Sequence, residues 1–402
     1  MAILIVGTLD TKGEEIGFAR DRLQAAGLSV DIMDVGILGH PTIESDIPRK
    51  TVARAGGESI GALQDAGDRG RAVEVMGEGA AKLAREMNED GQLDGIMGLG
   101  GSGNTSIATT AMRALPYGRP KLMVSTVASG DVRPYVGAHD ILMMHSVADI
   151  EGLNQLTRRV ISNATNAMVG MVEGEQPESS DPTTTIGITM FGVTTPCVKQ
   201  ARSYLEARGY ETIVFHATGT GGRAMENLIE QGVIDAVLDV TTTELADELV
   251  GGVLSAGPER LTTAGKTGIP QVISVGALDM VNFGPRDTVP DSFEGRHFHV
   301  HNPQVTLMRT TPAENEQLGR LLAEKANQAT GPVAVAIPTG GVSMLAVEGE
   351  EFFNPVADEA LFSTLREHLS PSVELIEYDA SINDESFAIE IAETLITMLE
   401  SS

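Results

Sequence analysis

Gly98-Leu99-Gly100-Gly101-Ser102-Gly103-Asn104-Thr105-Ser106 separates an apolar run beginning at Leu93 from an Ala/Thr-rich segment of helical composition. Glycines at 98, 100, 101 and 103 let the backbone turn sharply and present its N–H groups, and the helix that follows adds the positive end of its dipole. The junction therefore reads as a phosphate seat at a strand-to-helix corner, and the chain around it as an α/β unit. Gly98, Gly100 and Gly103 also match G-x-G-x-x-G, a pattern that belongs after the first strand of a unit with an acid about twenty residues on. Here it comes late, no acid sits at that offset, and no Gly-Lys-Ser/Thr follows to make a Walker A loop. A glycine-rich turn serving close strand–helix packing is the alternative for this stretch alone.

Two further corners favour the phosphate reading. Upstream, 2–6 is a short continuous apolar run, as expected of a parallel strand buried on both faces, and Gly7-Thr8-Leu9-Asp10-Thr11-Lys12-Gly13 follows it into a helix that ends near Ala26. In a doubly wound sheet that loop lies at the carboxyl edge, where ligands bind. Thr8, Asp10, Thr11 and Lys12 are thus candidate contacts: hydroxyls for phosphate or ribose, an acid for Mg²⁺, a lysine for phosphate charge. A plain helix cap is the competing role for Asp10 or Thr11. Downstream, the apolar run 121–125 brings Thr126-Val127-Ala128-Ser129-Gly130-Asp131 to the same edge. Gly100, Gly101, Ser102, Gly103, Asn104 and Thr105 then face Thr126, Ser129, Gly130 and Asp131 across one site.

Between these corners a second strand spans 29–34, and a long polar segment from Val35 to Asp68 has no obvious strand, as expected of a lid or subunit contact. Asp46, Arg54 and Arg69 are its candidate ligand groups, and a helix runs from about Arg69 to Glu89. Tyr135, His139, Asp140, His145 and Asp149 come next, before a closing helix (150–171) that carries Asn154, Arg158 and Asn163.

The whole chain has 402 residues, enough for two domains. No apolar run approaches eighteen residues, and the start enters a strand directly without a basic leader, so a cytoplasmic protein without a membrane span is expected. The net charge of −28 excludes nucleic acid as the expected partner. Its 56 acids stand against 7 lysines and 21 arginines, with no Trp, a composition suited to a high-salt cytoplasm. The single cysteine, Cys197, excludes an intramolecular disulfide and a cysteine zinc cluster; at a predicted helix start it could favour a thiolate, although a small buried packer is the commoner role.

Residues 175–185 are acidic, polar and interrupted by proline, which marks a linker between an N-terminal domain (1–174) and a second α/β series (186–402). The second series has its own glycine junctions, Thr218-Gly219-Thr220-Gly221-Gly222-Arg223 and Gly340-Gly341-Val342-Ser343. Candidate groups for a second cleft are Thr218, Gly219, Gly221, Gly222, Arg223, Asn302, Gly340, Gly341 and Ser343. Asp279, His301 and Arg309 are candidate catalytic residues, with Arg309 supporting a His301-Asn302 pair. His297, His299 and His301 alternate, so on a strand they could share a face and offer nitrogens to a metal.

Gly-Thr-Leu-Asp-Thr-Lys, Gly-Leu-Gly-Gly-Ser-Gly-Asn-Thr-Ser, Ser-Thr-Val-Ala-Ser-Gly-Asp, His-Asn-Pro-x-Val-Thr-x-Met-Arg-Thr and Ile-Pro-x-Gly-Gly-Val-Ser occur in this order over nearly the whole chain. Together they resemble the family named for the ATP-binding region of the tomato tobamovirus-resistance protein. The resemblance implies two Rossmann-like three-layer domains with mainly parallel sheets, binding of ATP with Mg²⁺, and self-association as a dimer or tetramer. Three functions follow as expectations: a Mg-dependent ATP-binding protein whose phosphates sit on 98–106 with Asp10 toward the metal, an enzyme acting on a phosphorylated or carboxylated metabolite between the domains, and a scaffold stapled by nucleotide without turnover.

Overall fold

The structure, a computed structural model, describes residues 1–175 and 183–401. The chain divides into two compact units, Met1–Glu178 and Ser179–Ser402. Most of the expected linker, 176–182, lies outside the described residues.

In the first unit β1 (Ala2–Gly7), β2 (Ser29–Asp34), β3 (Gly95–Gly100), β4 (Lys121–Ser125) and β5 (Leu142–His145) form one parallel sheet in the order β2-β1-β3-β4-β5. The continuous apolar run of β1 has a direct cause. Leu4 and Val6 pack on one face against the helices Arg69–Glu89 and Ser102–Arg113, while Ile3 and Ile5 pack on the other with residues of Leu9–Ala25 and Gln155–Glu173. Both faces are covered, so period-two alternation has nothing polar to alternate with. Gly98 serves the same packing: a Cβ there would come within 2.7 Å of both Ala108 Cβ and Met123 Sδ. The chain leaves β1 toward β2 and returns on the opposite side as β3, which places the topological switch point at the carboxyl ends of β1 and β3.

The polar segment 35–68 contains no strand; it holds two short helices, Arg49–Ala55 and Ile60–Ala66, and a single bridge from Ile47 to Met33. Asp46 is part of that construction, since its carboxylate accepts the Ile32 amide at 2.8 Å, and Arg54 is exposed away from the cavity described below.

The second unit opens with β6 (Thr185–Met190), β7 (Glu211–His216), β8 (Ala236–Thr241) and β9 (Gln271–Gly276). Three short strands then form a separate antiparallel sheet: β10 (Met280–Phe283), β11 (Phe298–Asn302) and β12 (Val305–Arg309), ordered β10-β12-β11. β13 (Val333–Pro338) and β14 (Glu374–Tyr378) complete a six-stranded parallel sheet ordered β14-β13-β9-β8-β6-β7. Both units are thus α/β with parallel main sheets. Among the described residues no helix is long and apolar enough to cross a membrane.

Candidate functional site

The corner after β3 holds the unsatisfied donors. The helix Ser102–Arg113 starts at Gly101, and its first amides have no carbonyl four residues back to receive them. Among the described residues none accepts from the amides of Gly101, Ser102, Gly103 or Asn104. Their glycines leave the approach clear: a Cβ on Gly101 would meet nothing nearer than Thr126 Oγ1 at 3.8 Å, and one on Gly103 nothing nearer than the Arg69 guanidinium at 3.5 Å. Gly100 has a different task. A Cβ there would come within 2.9 Å of Asn104 Cβ, so glycine lets the first helical turn fold back on the strand end.

Asn104 pins that turn. Its Nδ2 donates to Leu99 O at 2.8 Å and Val6 O at 3.3 Å, tying the ends of β1 and β3 together across the switch point. Its Oδ1 is buried without a partner, an orphan acceptor on a side chain that lines the cavity. Thr105, one residue on, is turned inward: its hydroxyl bonds Gly101 O at 2.9 Å and Ser125 Oγ at 2.7 Å. It supports the loop and does not reach the cavity.

These groups open into a cavity of about 970 Å³. From the β1 corner Thr8, Asp10, Thr11 and Lys12 line it, with Thr8 and Thr11 sharing a hydroxyl contact of 2.9 Å. Lys12 and Arg69 both line it, and among the described residues no carboxylate lies within ion-pair distance of either. Two cations left unpaired in a chain of net charge −28 are available to an anionic guest. Asp10 is committed in part: its Oδ2 accepts the Leu38 and Gly39 amides at 2.8 and 3.1 Å and fixes the loop after β2, leaving Oδ1 without a hydrogen-bond donor. The opposite wall is apolar, built by Val35, Ile37, Leu63, Val73, Met76 and Ile107.

Sequence reasoning passed over the residue that joins the β1 and β2 loops. Asp34 is 1 % exposed and its Oδ1 accepts Leu9 N at 3.2 Å and Gly36 N at 2.9 Å; burial raises its pKa above the ordinary carboxylate value, against those two hydrogen bonds. An acid directly after the apolar pair Ile32-Met33 at a strand's end, two residues before a glycine, was the available signal. The loop after β4 contributes less than expected. Thr126 lines the cavity, whereas Ser129 and Gly130 belong to a turn closed by Gly130 N to Val127 O, and Asp131 is held well down, to about 2, by its exposed pair with Arg133. None of these three faces the cavity.

The second unit's candidates are structural. The Gly219 and Gly222 amides donate to Glu244 Oε1 at 2.6 and 3.1 Å, so this cradle is filled by the chain's own carboxylate. Glu244 is in turn held by Arg260 at 2.6 Å, which also forks onto Asp239 at 2.6 and 2.7 Å, all of them buried. A Cβ on Gly221 would lie 1.9 Å from His216 O, which explains that glycine by packing; Thr218 bonds back to His216 O, and Arg223 points to solvent. The third junction is closed as well: Gly340 N meets Ala380 O, Gly341 N meets Pro338 O, and Ser343 Oγ donates to Asp279 Oδ2 at 2.8 Å.

Asp279 is fully buried, which pushes it up to about 6. Arg309 is turned into the core, donating to Phe352 O at 2.8 Å and Asp358 at 2.5 Å. It cannot support His301 and Asn302, because the antiparallel pairing places those at the hairpin end, where Asn302 caps the Gln304 amide, and Arg309 at the far end of β12. The three histidines do not form a metal centre: the register of β11 shifts between Val300 and Asn302, His297 and His299 both turn to Glu351, and among the described residues no three metal-binding side chains are grouped. Cys197 is buried, which raises its thiol to about 12 and removes the thiolate reading.

Comparison with known proteins follows this division. The model described as Uncharacterised protein family (UPF0261) N-terminal domain matches residues 1–177, and the one described as its C-terminal domain matches 183–399. A UPF0261 protein of Clostridium tetani is 52 % identical over 99 % of both chains. The ToMV resistance protein Tm-1(GCR237) of Solanum lycopersicum is 40 % identical over 98 % of this chain and 55 % of the plant protein. Among solved structures, UDP-GlcNAc 2-epimerase from Neisseria meningitidis aligns with 68 % of this chain and 82 % of its own at 10 % identity and a TM-score of 0.25, a likeness that carries no argument. With both halves matched and relatives aligned end to end, this chain belongs to the UPF0261 family.

Proposed function

We propose that the protein binds a nucleoside triphosphate with Mg²⁺ in the cavity of the first unit, ATP being the nucleotide the family resemblance implies. The observation that carries this reading is the run of four unpaired amides, Gly101 to Asn104, opening at the β1/β3 switch point into a cavity of about 970 Å³. Donors, cations and acceptors are all supplied there. The amides with Lys12 and Arg69 suit phosphate oxygens, and the apolar wall suits a base. Asp10 Oδ1 and Asn104 Oδ1, acceptors without donors, fit the hydrated Mg²⁺ that would neutralise phosphate charge. Thr8, Thr11, Ser102 and Thr126 add hydroxyls.

Isothermal titration with Mg-ATP tests the assignment. Gly101→Asp adds a carboxylate where the amides converge, at a backbone φ of −82° that any residue adopts. Affinity should fall at least tenfold while the thermal midpoint stays within a degree or two, roughly the change expected of a surface substitution. Equal affinity in the variant would remove the loop from the site. Self-association belongs to the same proposal and is read by light scattering with and without Mg-ATP.

A further inference from the structure

Resting on that reading, we propose that the site also turns its nucleotide over: His145 and Asp149 form a proton-transfer face that hydrolyses the terminal phosphoanhydride. The cavity is chemically divided along the sheet. Val35 and Ile37 follow β2, and Leu63, Val73 and Met76 come from the helices that cover that side, whereas Thr126, His145 and Asp149 follow β4 and β5. The free amides lie between the two halves, at the end of β3. A nucleotide with its base on the apolar side and its phosphates over the amides therefore directs its terminal phosphate toward His145 and Asp149.

The register brings these groups to one edge. Gly100 pairs with Ser125, and Ser125 with His145, so the ends of three adjacent strands stand side by side, about 5 Å apart from each to the next. Among the described residues neither His145 nor Asp149 has a hydrogen-bond or ion-pair partner, so both retain their full capacity for a guest or a water. The turn that carries them is fixed. Ser146 is 1 % exposed, its amide meets Ser125 O at 3.2 Å, and its hydroxyl meets Ala148 O at 2.6 Å. Between them Val147, a β-branched residue, is held at φ 68°, a costly left-handed conformation, and it lies 65 % exposed on the cavity rim. The turn brings Asp149 back to the cavity while Ile150 anchors the chain in the core.

In the step itself, a water held by Asp149 attacks the terminal phosphorus. The new O–P bond forms as the bond to the bridging oxygen breaks, the electron pair leaves with the nucleoside diphosphate, and the water's proton passes to a ring nitrogen of His145. The products are nucleoside diphosphate and inorganic phosphate, with the proton then lost to solvent.

The test separates binding from turnover. Wild-type protein that binds Mg-ATP by titration should release inorganic phosphate steadily in a coupled assay. His145→Ala and Asp149→Asn, both at exposed positions, should bind Mg-ATP within twofold of wild type and release phosphate roughly 100-fold more slowly, the low end of what a general base contributes. A wild-type protein that binds but releases no phosphate, or variants that release it at the wild-type rate, would overturn the inference and leave the nucleotide site standing. No binding at all would overturn both.

Discussion

The two glycine junctions at 98–106 and 218–223 look alike in sequence and end in opposite states. Each follows a parallel strand and opens a helix, and each leaves backbone amides at the helix start without a carbonyl partner. In the second unit the partner is Glu244, whose carboxylate takes the Gly219 and Gly222 amides and is itself neutralised by buried Arg260. In the first unit the same kind of donor set faces an open cavity, with Lys12 and Arg69 unpaired beside it. Glu244 stands where a guest phosphate would stand. A glycine-rich corner presents free amides, and whether they stay open or are closed into a structural joint depends on whether the fold delivers an acid of its own.

The strongest way to break this comparison is to empty the filled socket. Glu244→Ala leaves Arg260 short of one partner and strands two buried amides, so urea denaturation should show a loss of about 3–5 kcal/mol, the usual range for breaking a buried ion pair. Added formate should stabilise the variant more than wild type and so recover part of that loss, because the second-unit corner is open to it only where the Glu244 carboxylate is missing.

A second test reads the buried acids of the same unit by pH. Burial raises Asp247 from 3.8 to about 7, against the hydrogen bonds it accepts from Asn282 and Leu254. At Asp247 the folded chain then keeps a proton that the unfolded chain releases, so this group's contribution to stability is fully present below about pH 4 and is lost as pH rises toward 7. The decline should amount to a few kcal/mol. Asp247→Asn should remove this part of the pH dependence in urea midpoints measured across that window; a difference between wild type and variant that does not change with pH would show that the carboxyl is not protonated.

On the open junction, Lys12→Gln should weaken Mg-ATP roughly three- to tenfold, the contribution of one charge-assisted contact in a partly solvated site, and leave stability unchanged within about 0.5 kcal/mol because no carboxylate loses a partner. The smallest effect belongs to Asp131→Asn. Its exposed pair with Arg133 is outside the cavity and screened by solvent, so neither affinity nor stability should change measurably. A large loss of affinity in that variant would return the loop after β4 to the site.

Much of the first site could be read from the chain because its parts are local. Thr8, Lys12 and the 100–104 turn follow strands whose apolar runs announce burial on both faces, and residues after such strands collect at one edge. Arg69 was visible too, one residue past the Asp68 cap of its helix. Ser129, Gly130 and Asp131 share the same composition but turn away within three residues, a matter of turn geometry that hydroxyl content does not encode. In the second unit Asp279, Arg309 and Ser343 have the side chains of an active site and the partners of a core. Ser343 Oγ donates to the Asp279 carboxylate and the Arg309 guanidinium to Asp358, across 64 and 49 positions of sequence, a distance over which no motif reports.

Local patterning by itself determined the α/β class, the parallel strands and the places of the glycine-rich corners, since apolar runs and glycine-rich turns act over a few neighbouring residues. Only the tertiary structure decided which corner stayed open. That choice rests on long-range pairing: Glu244 is carried by the second unit's fold to within 2.6 Å of Gly219, and among the described residues no acid accepts from the amides of Gly101 to Asn104.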